Sequence, residues 1–414
     1  MFKLPVILSV VMFFTCLGDM MAQEPDTTRY TGAEQIEQQI EDLAERSDVE
    51  MDYSDWTEEI NLLRQRPVNL NSGDENELRR LFFLNDLQIA NLLEYTRQYG
   101  QLASIYELQV IDGFNEKLVS QILPFISLSP YVPEKFSLGR ALKYGGTDVM
   151  LRYQRVLQQQ KGYDDVPDSV RIAKPNDYYL GNANSQFVRV QYAYKDYLKL
   201  GFVAEKDPGE PFLPESDTLR KGFDFYSAHL FIKNMGVVKQ LAIGDYHVQF
   251  GQGLTMWSGF SVGKAAGSVV MRKRAPALRP HASSNEYAFL RGAATTVGLG
   301  KFDLTAFYSN RRVDANLVQA DTANSTEEMV TSLQETGYHR TPAEIADKGA
   351  NHEIAGGGHL AWNGQRLRTG VTAYHVNYAI PFEPQDSPDK QFEPTLNSNT
   401  YLGLDYSYND KTLT

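Results

Sequence analysis

Histidine and glutamate side chains that lie close together in the sequence are the first candidates for metal chemistry. His352 and Glu353 are adjacent, and His359 follows seven positions after His352. A zinc-binding helix needs its two histidines four positions apart. On a β-strand, residues seven positions apart point to opposite faces. We therefore expect polar strand positions or loop residues here, and the sequence predicts no metal site.

Two other segments have compositions that could bind phosphate groups. Gly356–Gly358 is a run of three glycines, but neither a helix nor a Lys-Ser/Thr pair follows, so we expect close backbone packing or a bulge in a strand. Met271–Arg274 and Arg279 form a basic patch. This patch either binds the phosphates of lipopolysaccharide or another polyanion, or it is an ordinary solvated loop.

Catalytic groups do not stand out in the sequence. It offers no recognisable pair of nucleophile and base, and no suitably spaced pair of acids. We therefore expect a non-enzymatic protein without a cofactor.

The N-terminus has the composition of an export signal. Lys3 precedes an apolar stretch from Leu4 to Leu17, and the small residue Ala22 follows. This order predicts a secretory signal peptide over residues 1–22, since the apolar stretch is short for a membrane anchor. The single cysteine, Cys16, lies within it, so the mature chain is expected to have neither a disulfide nor thiolate chemistry.

The charge of the chain changes sharply near residue 130. Residues 23–130 contain 21 acidic and 8 basic residues, whereas residues 131–414 contain 30 acidic and 31 basic residues. Such a break indicates two unlike domains. Within the first, residues 23–66 are acidic and carry Ile36, Ile40 and Leu43 at helical spacing, which predicts a helical segment.

Residues 67–130 repeat themselves with an offset of 30 positions. Asp74-x-x-Glu77 matches Ser104-x-x-Glu107, and both are helix-capping patterns. Each copy is therefore predicted to be a helix, a tight turn and a second helix. The apolar positions that match are Leu81 with Ile111, Leu84 with Phe114, Ile89 with Val119, Leu92 with Ile122 and Leu93 with Leu123.

The segment PVNLNSGDENELRRLFFLNDLQIANLLEYTRQYGQLASIYELQVIDGFNEKL resembles a tandem helix-hairpin-helix unit of the ComEA type. The resemblance runs from Pro67 to Phe125. In that family each turn is glycine–hydrophobic–glycine, and its backbone amides bind a DNA phosphate. The resemblance therefore implies candidate DNA-binding residues in the two turns, namely Leu84, Asn85, Gly113, Phe114, Asn115 and Lys117.

Both turns depart from the family pattern. Phe83–Asn85 contains no glycine, and Gly113–Asn115 contains one. Phe83 would obstruct the close backbone approach that a phosphate needs. Residues 67–130 also carry eight acidic and four basic residues, and DNA affinity depends largely on phosphate neutralisation. We therefore expect a structural or protein-docking domain, with DNA binding as the alternative.

The apolar period changes to two from about residue 147 onward, after a linker predicted over residues 131–146. Phe302, Leu304 and Ala306 alternate with Asp303 and Thr305, for example. This alternation is typical of antiparallel strands with one apolar and one polar face.

Short and long connections alternate between the predicted strands. Tight turns are predicted at 195–196, 234–237, 300–301, 363–364 and 409–410, and long polar loops at 158–185, 207–222, 263–285, 312–350 and 379–397. Thr341, Pro342 and Glu344 predict the start of a short helix within the 312–350 loop. Outer-membrane barrels have short periplasmic turns, long external loops and aromatic girdles that suit a tyrosine-rich chain. The predicted fold class is thus α + β multidomain: an N-terminal all-α helix-hairpin-helix domain over residues 67–130, then an antiparallel transmembrane β-barrel over residues 147–414.

The barrel is expected to be incomplete at its C-terminus. About ten strands and the start of another at 411–414 can be recognised, and an open sheet leaves an unpaired edge that lipid does not tolerate. The chain is therefore interpreted as part of a longer protein. The order of its parts resembles outer-membrane proteins of Bacteroidota-type bacteria, in which a periplasmic helix-hairpin-helix unit precedes a barrel.

Gly244–Trp257 is the segment richest in glycine and aromatic residues. Two interpretations stay open for it. It either lines a constriction or substrate path inside the barrel, or it is a strand that bends at its glycines into an inward loop.

These features predict a non-enzymatic outer-membrane β-barrel, either a channel or an envelope-assembly component, with a periplasmic docking domain. The expected partners are outer-membrane lipid and another envelope protein that contacts the helical domain. The alternative is a DNA-binding or DNA-uptake protein, which the acidic charge disfavours. The expected location is the bacterial outer membrane, with the N-terminal domain in the periplasm.

Overall fold

A computed structural model describes residues 63–64, 67–73, 75–78, 80–81, 84, 86–131, 137–213, 221–258, 275–322, 325–364, 367–382 and 397–408. The chain divides into two compact units, Met1–Pro130 and Tyr131–Thr414, here called the helical unit and the strand unit. The predicted signal peptide, nearly all of the acidic segment over residues 23–66, and the turn predicted at 409–410 lie outside the described residues.

The helical unit contains helices and one short pair of strands. The strands β1 and β2 are parallel, with Val68 opposite Ile126, so the expected all-α domain is not what the described residues form. The elements are β1 (Val68–Asn69), a 3-10 helix (Leu70–Ser72), α1 (Glu75–Leu78), α2 (Asp86–Tyr99), a 3-10 helix (Ile105–Val110), α3 (Glu116–Ile122), a 3-10 helix (Leu123–Phe125) and β2 (Ile126–Ser127).

The two copies of the sequence repeat bury equivalent positions. The capping box predicted at Ser104 and Glu107 is present, although the helix it starts is 3-10 rather than α. Asn71 joins the copies, because its side chain accepts from the Leu102 amide at 2.8 Å and donates to the Leu102 carbonyl at 3.0 Å. The buried equivalents are Leu78 with Leu108, Leu81 with Ile111, Leu84 with Phe114, Ile89 with Val119 and Leu92 with Ile122.

The strand unit is built mainly from antiparallel strands, as the alternating pattern predicts. Its elements are α4 (Leu138–Tyr144), β3 (Gly146–Arg155), a 3-10 helix (Lys161–Tyr163), α5 (Asp168–Ala173), β4 (Asn184–Tyr194), β5 (Leu198–Lys206), β6 (Phe225–Met235), β7 (Val238–Gln249), β8 (Ala277–Pro280), β9 (Leu290–Leu299), β10 (Phe302–Val313), β11 (Ala315–Thr322), β12 (Ser325–Leu333), α6 (Pro342–Asp347), β13 (Asn351–Asn363), β14 (Leu367–Tyr378) and β15 (Ser398–Tyr408).

Ten of these strands form one continuous antiparallel sheet, in the order β15-β14-β13-β10-β9-β7-β6-β5-β4-β3. Tight turns join β4 to β5, β6 to β7 and β9 to β10 where the sequence predicts them, with Lys195, Asn234 and Gly300 at positive φ. The sheet is open within the described residues, because β3 and β15 are its two edges and do not pair with each other.

Two segments differ from the predicted connections. The 312–350 loop contains the hairpin β11–β12, which forms its own two-stranded sheet, and the short helix α6, which the Thr341-x-x-Glu344 pattern predicts. The predicted linker contains α4, whose Ala141 is fully buried. Tyr192 of β4 donates a hydrogen bond to the Ala141 carbonyl at 2.8 Å, and this tertiary contact explains why a helix forms there.

β7 stops pairing with β6 at a pair of glycines. Gly244 lies opposite Gly292 of β9 and has φ +93°, a left-handed conformation that glycine adopts without steric cost. A Cβ atom at Gly244 would meet the carbonyl oxygen of Ala228 in β6. β7 continues to pair with β9 as far as Tyr246, and Tyr246–Gln249 pair with β8, so β7 changes its neighbours directly after the glycines.

Candidate functional site

Six ionisable side chains from four separate connections meet at one end of the sheet. β5, β6, β9, β10 and β13 begin or end on this side, since neighbouring antiparallel strands reverse direction. We call this group the carboxylate–histidine cluster. Its members are Glu210 and Asp224 (between β5 and β6), Glu286 (between β8 and β9), Asp314 (directly after β10), and His339 and Lys348 (between β12 and β13).

The backbone next to His339 is held by the cap of α6. Thr341 accepts a hydrogen bond from the Glu344 amide, and the Glu344 carboxylate accepts from the amides of Arg340 and Thr341. Pro342 occupies the first turn, where its missing N–H costs nothing. This local structure positions His339, which itself lies outside the helix.

His339 is enclosed between two aspartates. Its Nδ1 lies 2.5 Å from Oδ2 of Asp224, and its Nε2 lies 3.0 Å from Oδ2 of Asp314. The side chain of His339 is only 3% exposed. Because ionised carboxylates only accept hydrogen bonds, both ring nitrogens donate, and the ring is an imidazolium.

The pKa values of this pair are shifted in opposite directions. Burial lowers the pKa of His339, but the hydrogen bonds to Asp224 and Asp314 outweigh it and raise that pKa to about 10. Burial raises the pKa of Asp224, but the hydrogen bond from His339 and the charge of Lys348 hold it below its ordinary value. Lys348 Nζ donates to Asp224 at 2.5 Å. The pair is therefore ionised across the neutral range.

Two glutamates next to this pair favour the protonated form. Burial and the negative charge of Asp224 raise the pKa of Glu210 to about 7, although the amides of Asp207 and His339 donate to its carboxylate. Burial and the same negative charge raise the pKa of Glu286 well above its ordinary value. Protons bound to these two glutamates therefore offset part of the negative charge of the cluster.

Two sets of three side chains in the cluster have metal-ligand geometry. The ligand atoms of Glu210, Asp224 and His339 lie within 4.8 Å of one another, as do those of Glu286, Asp314 and His339. Histidine binds a metal through an unprotonated nitrogen, whereas both nitrogens of His339 donate to aspartates. As arranged, the ion pairs of His339, Asp224, Asp314 and Lys348 form a buried network that ties three of the four connections together.

The sequence does not reveal this cluster. Glu210 and His339 are 129 positions apart, and Asp224 and His339 are 115 apart. No spacing motif spans such distances, because the sheet brings the connections together. The one local signal is the capping box, which predicts the helix but not the role of the preceding histidine.

The residues that the helix-hairpin-helix resemblance implies lie in different environments. Leu84 and Phe114 are buried, whereas Gly113, Asn115 and Lys117 are exposed. Asn85 lies outside the described residues. The structure therefore brings Gly113, Asn115 and Lys117 to the surface of the second turn, while the two apolar residues are part of the core of the helical unit.

Several polar groups of the second turn already have partners within the protein. The Phe114 amide donates to the Ile111 carbonyl, and Asn115 accepts from the Leu118 amide at 2.8 Å. Gln88 of α2 donates to the Gly113 carbonyl at 2.7 Å. The turn is thus cross-linked to the first repeat by hydrogen bonds.

The histidine and glycine segments of β13 are structural. His352 and His359 lie on opposite faces, as their spacing predicts: His352 contacts Asn310, and His359 is buried against Thr372. A Cβ atom at Gly357 would overlap Tyr374, so the glycine run permits close packing, as expected. Arg279 is exposed on β8, and the remaining basic patch, residues 271–274, lies outside the described residues.

The chain has no significant match among protein-family models, curated proteins or solved structures. No helix in the described part of the chain is both long enough and apolar enough to cross a membrane.

Proposed function

We propose that the strand unit is a non-enzymatic outer-membrane protein whose sheet spans the bilayer as part of a β-barrel and forms a channel. We further propose that the helical unit docks another envelope protein on the periplasmic side. The observation that carries the proposal is the exposed apolar face of the sheet, which lies opposite a buried face with a row of polar side chains.

The exposed face is apolar from one edge of the sheet to the other. Leu304, Leu360, Val371 and Leu404 are successive cross-strand partners on β10, β13, β14 and β15. All four are exposed, and Leu404 at the edge is 76% exposed. On the opposite half, the same face continues through Val149, Val190 and Phe202. Exposing so large an apolar surface to water is unfavourable, whereas contact with lipid hydrocarbon is favourable.

The opposite face is buried and carries a row of polar side chains beside an apolar cluster around Phe307; we call it the polar face. Thr305, the residue after Leu304 on β10, belongs to this face. It pairs with Thr296 of β9 and His359 of β13, and His359 pairs with Thr372 of β14. The hydroxyls of Thr296 and Thr305 lie 2.9 Å apart, and His359 Nδ1 lies 2.9 Å from the Thr372 hydroxyl. A water-soluble sheet buries its apolar face, whereas an outer-membrane barrel has a polar interior.

Aromatic side chains limit the apolar band along the strands. On β10 the band begins at Phe302 and reaches Tyr308, about 20 Å at 3.4 Å per residue. The next residues on that face, Asn310 and Arg312, are polar. On this strand the apolar band is bounded at both ends by aromatic residues, as the apolar belt of outer-membrane barrels is bounded by aromatic girdles.

The helical unit supports docking to a protein better than binding to DNA. Residues 23–130 carry 21 acidic and 8 basic residues, which repel a polyanion. Its surface also exposes large apolar side chains of the kind that protein interfaces use. These are Tyr99, Tyr106, Val110 and Leu123.

A pair of matched arginine substitutions tests the membrane proposal. Leu404 on the exposed face of β15 and Leu213 in the connection between β5 and β6 are exposed to nearly the same extent, 76% and 75%. We expect Leu404→Arg to reduce the amount of heat-modifiable protein in the outer membrane, because a lipid-facing arginine costs about 2–4 kcal/mol at the bilayer midplane. Leu213→Arg is expected to have no such effect.

The readout is fractionation of the full-length protein followed by electrophoresis with and without boiling. Equal tolerance of both substitutions, with the wild-type protein in the soluble fraction, would contradict the proposal, because two water-exposed leucines should respond alike.

A further inference from the structure

The end of β7 and the residues after it lie against the polar face of the sheet. We call Tyr246–Ser258 the inward segment. Tyr246 is fully buried, and its hydroxyl donates to the Tyr308 carbonyl of β10 at 2.7 Å. Phe250 is also buried, and it packs in one cluster with Phe231, Phe307 and Ala355, which lie on β6, β10 and β13.

The inward segment reaches the strands at the far edge of the sheet. Phe250 stacks on His359 of β13 with ring centroids 4.6 Å apart. Tyr374 of β14 donates to the Thr255 carbonyl at 2.6 Å. A Cβ atom added at Gly403 of β15 would lie 3.1 Å from Cβ of Thr255.

These contacts require a strongly curved sheet. β7 and β15 are five strand positions apart, which is about 24 Å along the sheet at 4.8 Å per strand. Gly251 nevertheless lies beside Asp405 of β15, although it is only five residues beyond Tyr246, the last residue of β7 that pairs with β9. Five residues extend at most about 18 Å, so the polar face is concave and the inward segment crosses its opening.

The segment has its own internal structure. Ser258 exchanges hydrogen bonds with the backbone of Val248, and Gln249 donates to the Ser258 carbonyl. The Gly253 amide donates to the Phe250 carbonyl. It is therefore a folded turn that returns toward β7, and it can move as one piece if its contacts with β13, β14 and β15 are released.

The geometry points to a resident plug: the inward segment obstructs the concave polar face, and solutes pass along that face only when the segment leaves β13–β15. This inference rests on the proposed membrane function, because it assigns the regulation of the proposed channel. It also selects the inward-loop interpretation of the glycine-rich sequence Gly244–Trp257. The Phe250–His359 stack and the Tyr374 hydrogen bond are the contacts that must break.

A reversible disulfide between Thr255→Cys and Gly403→Cys tests the plug directly. Cβ atoms in disulfides lie about 3.5–4.5 Å apart, close to the distance available here. The sequence contains a single cysteine, Cys16, within the predicted signal peptide, so competing pairs are few. The full-length double variant is purified from outer membranes, scored for heat-modifiable migration, and inserted into planar bilayers.

We expect the oxidised double variant to conduct several-fold less than the same protein after reduction. Single-cysteine variants control for the oxidant. Tyr374→Phe should raise the basal conductance several-fold, because it removes the hydrogen bond to Thr255. Tyr401→Phe is the matched control, since the Tyr401 ring stacks on Tyr374 but its hydroxyl makes no hydrogen bond within the described residues.

The outcomes separate this inference from the membrane proposal. Heat-modifiable protein that inserts into bilayers but conducts equally when oxidised and reduced overturns the plug and leaves the membrane proposal intact. If the disulfide does not form in protein that inserts into bilayers, the inward segment does not lie against β15 and the inference is contradicted. Failure of every variant and of the wild type to insert contradicts the membrane proposal, and the plug with it.

Discussion

Nδ1 of His339 lies 2.5 Å from Oδ2 of Asp224, although 115 positions of sequence separate the two residues. A second aspartate, Asp314, holds the other ring nitrogen at 3.0 Å. One protonated histidine therefore connects the residues that follow β5, β10 and β12. Its contribution can be measured by how strongly these connections resist proteolysis.

We expect His339→Ala to loosen all three connections. The substitution leaves Asp224 and Asp314 half-buried without their shared partner, and removing one member of a buried ion pair costs about 3–5 kcal/mol. Limited proteolysis of the full-length protein in detergent should show faster cleavage within 207–224 and 334–350. His352→Ala is the control, because His352 makes a single exposed contact with Asn310. Equal protection of wild type and His339→Ala would contradict the assignment.

The connections should be most strongly held near pH 4 and weaken as the pH rises. The pKa of Glu210 is raised from 4.5 to about 7, so the folded state binds its proton more tightly and loses stability between those values. The pKa of His339 is raised from 6.5 to about 10, so its contribution is complete below pH 6.5 and disappears as the pH passes 10. The lowered pKa of Asp224 removes stability below its ordinary value of 3.8.

Hydrogen exchange of the connection amides between pH 5 and pH 10, corrected for intrinsic rates, measures this dependence. Glu210→Gln should flatten the change between pH 5 and pH 7 and leave the change above pH 8 in place. Hydrogen-exchange protection that increases with pH across this range would contradict the proposed role of the cluster.

Gly244→Ala should impair assembly of the strand unit more than Gly236→Ala does. Both glycines have positive φ, +93° and +66°, so both substitutions impose about 1–2 kcal/mol of backbone strain. Only Gly244 has the Ala228 carbonyl where a Cβ atom would go, whereas no atom lies within 4 Å of that position at Gly236. The measurement is the yield of heat-modifiable protein; an equal yield for the two variants would argue against a bend that needs Gly244.

The helical unit should bind duplex DNA weakly at physiological salt. Gly113 and Lys117 are exposed, but the net charge of residues 23–130 opposes a polyanion, so we expect a Kd weaker than the 10⁻⁴–10⁻⁶ M range typical of nonspecific binders. Fluorescence anisotropy with a labelled duplex near 150 mM salt checks this. Micromolar binding that falls steeply with salt and is lost in Lys117→Glu would favour the DNA-uptake alternative instead.

Local sequence determined much of the secondary structure. The alternation from Phe302 to Tyr308 predicts a strand because side chains on a strand point to alternate faces, and Thr341 with Glu344 predicts a helix start because both groups bond to nearby amides. The turns at 234–237 and 300–301 follow from Asn234 and Gly300, which tolerate positive φ, whereas the turn at 195–196 places Lys195 at positive φ. The helix in the predicted linker was missed because a contact with Tyr192, 51 positions from Ala141, stabilises it.

The carboxylate–histidine cluster and the inward segment were decided by tertiary structure alone. His339, Asp224 and Asp314 meet only because the order of the sheet places their connections at the same end, and sequence distance carries no information about that order. The glycines near Gly244 indicate a bend, but its direction depends on the curvature of a ten-stranded sheet. Periodicity and capping are properties of a few neighbouring residues, whereas the position of His339 depends on all the strands that pair between Leu198 and Asn363.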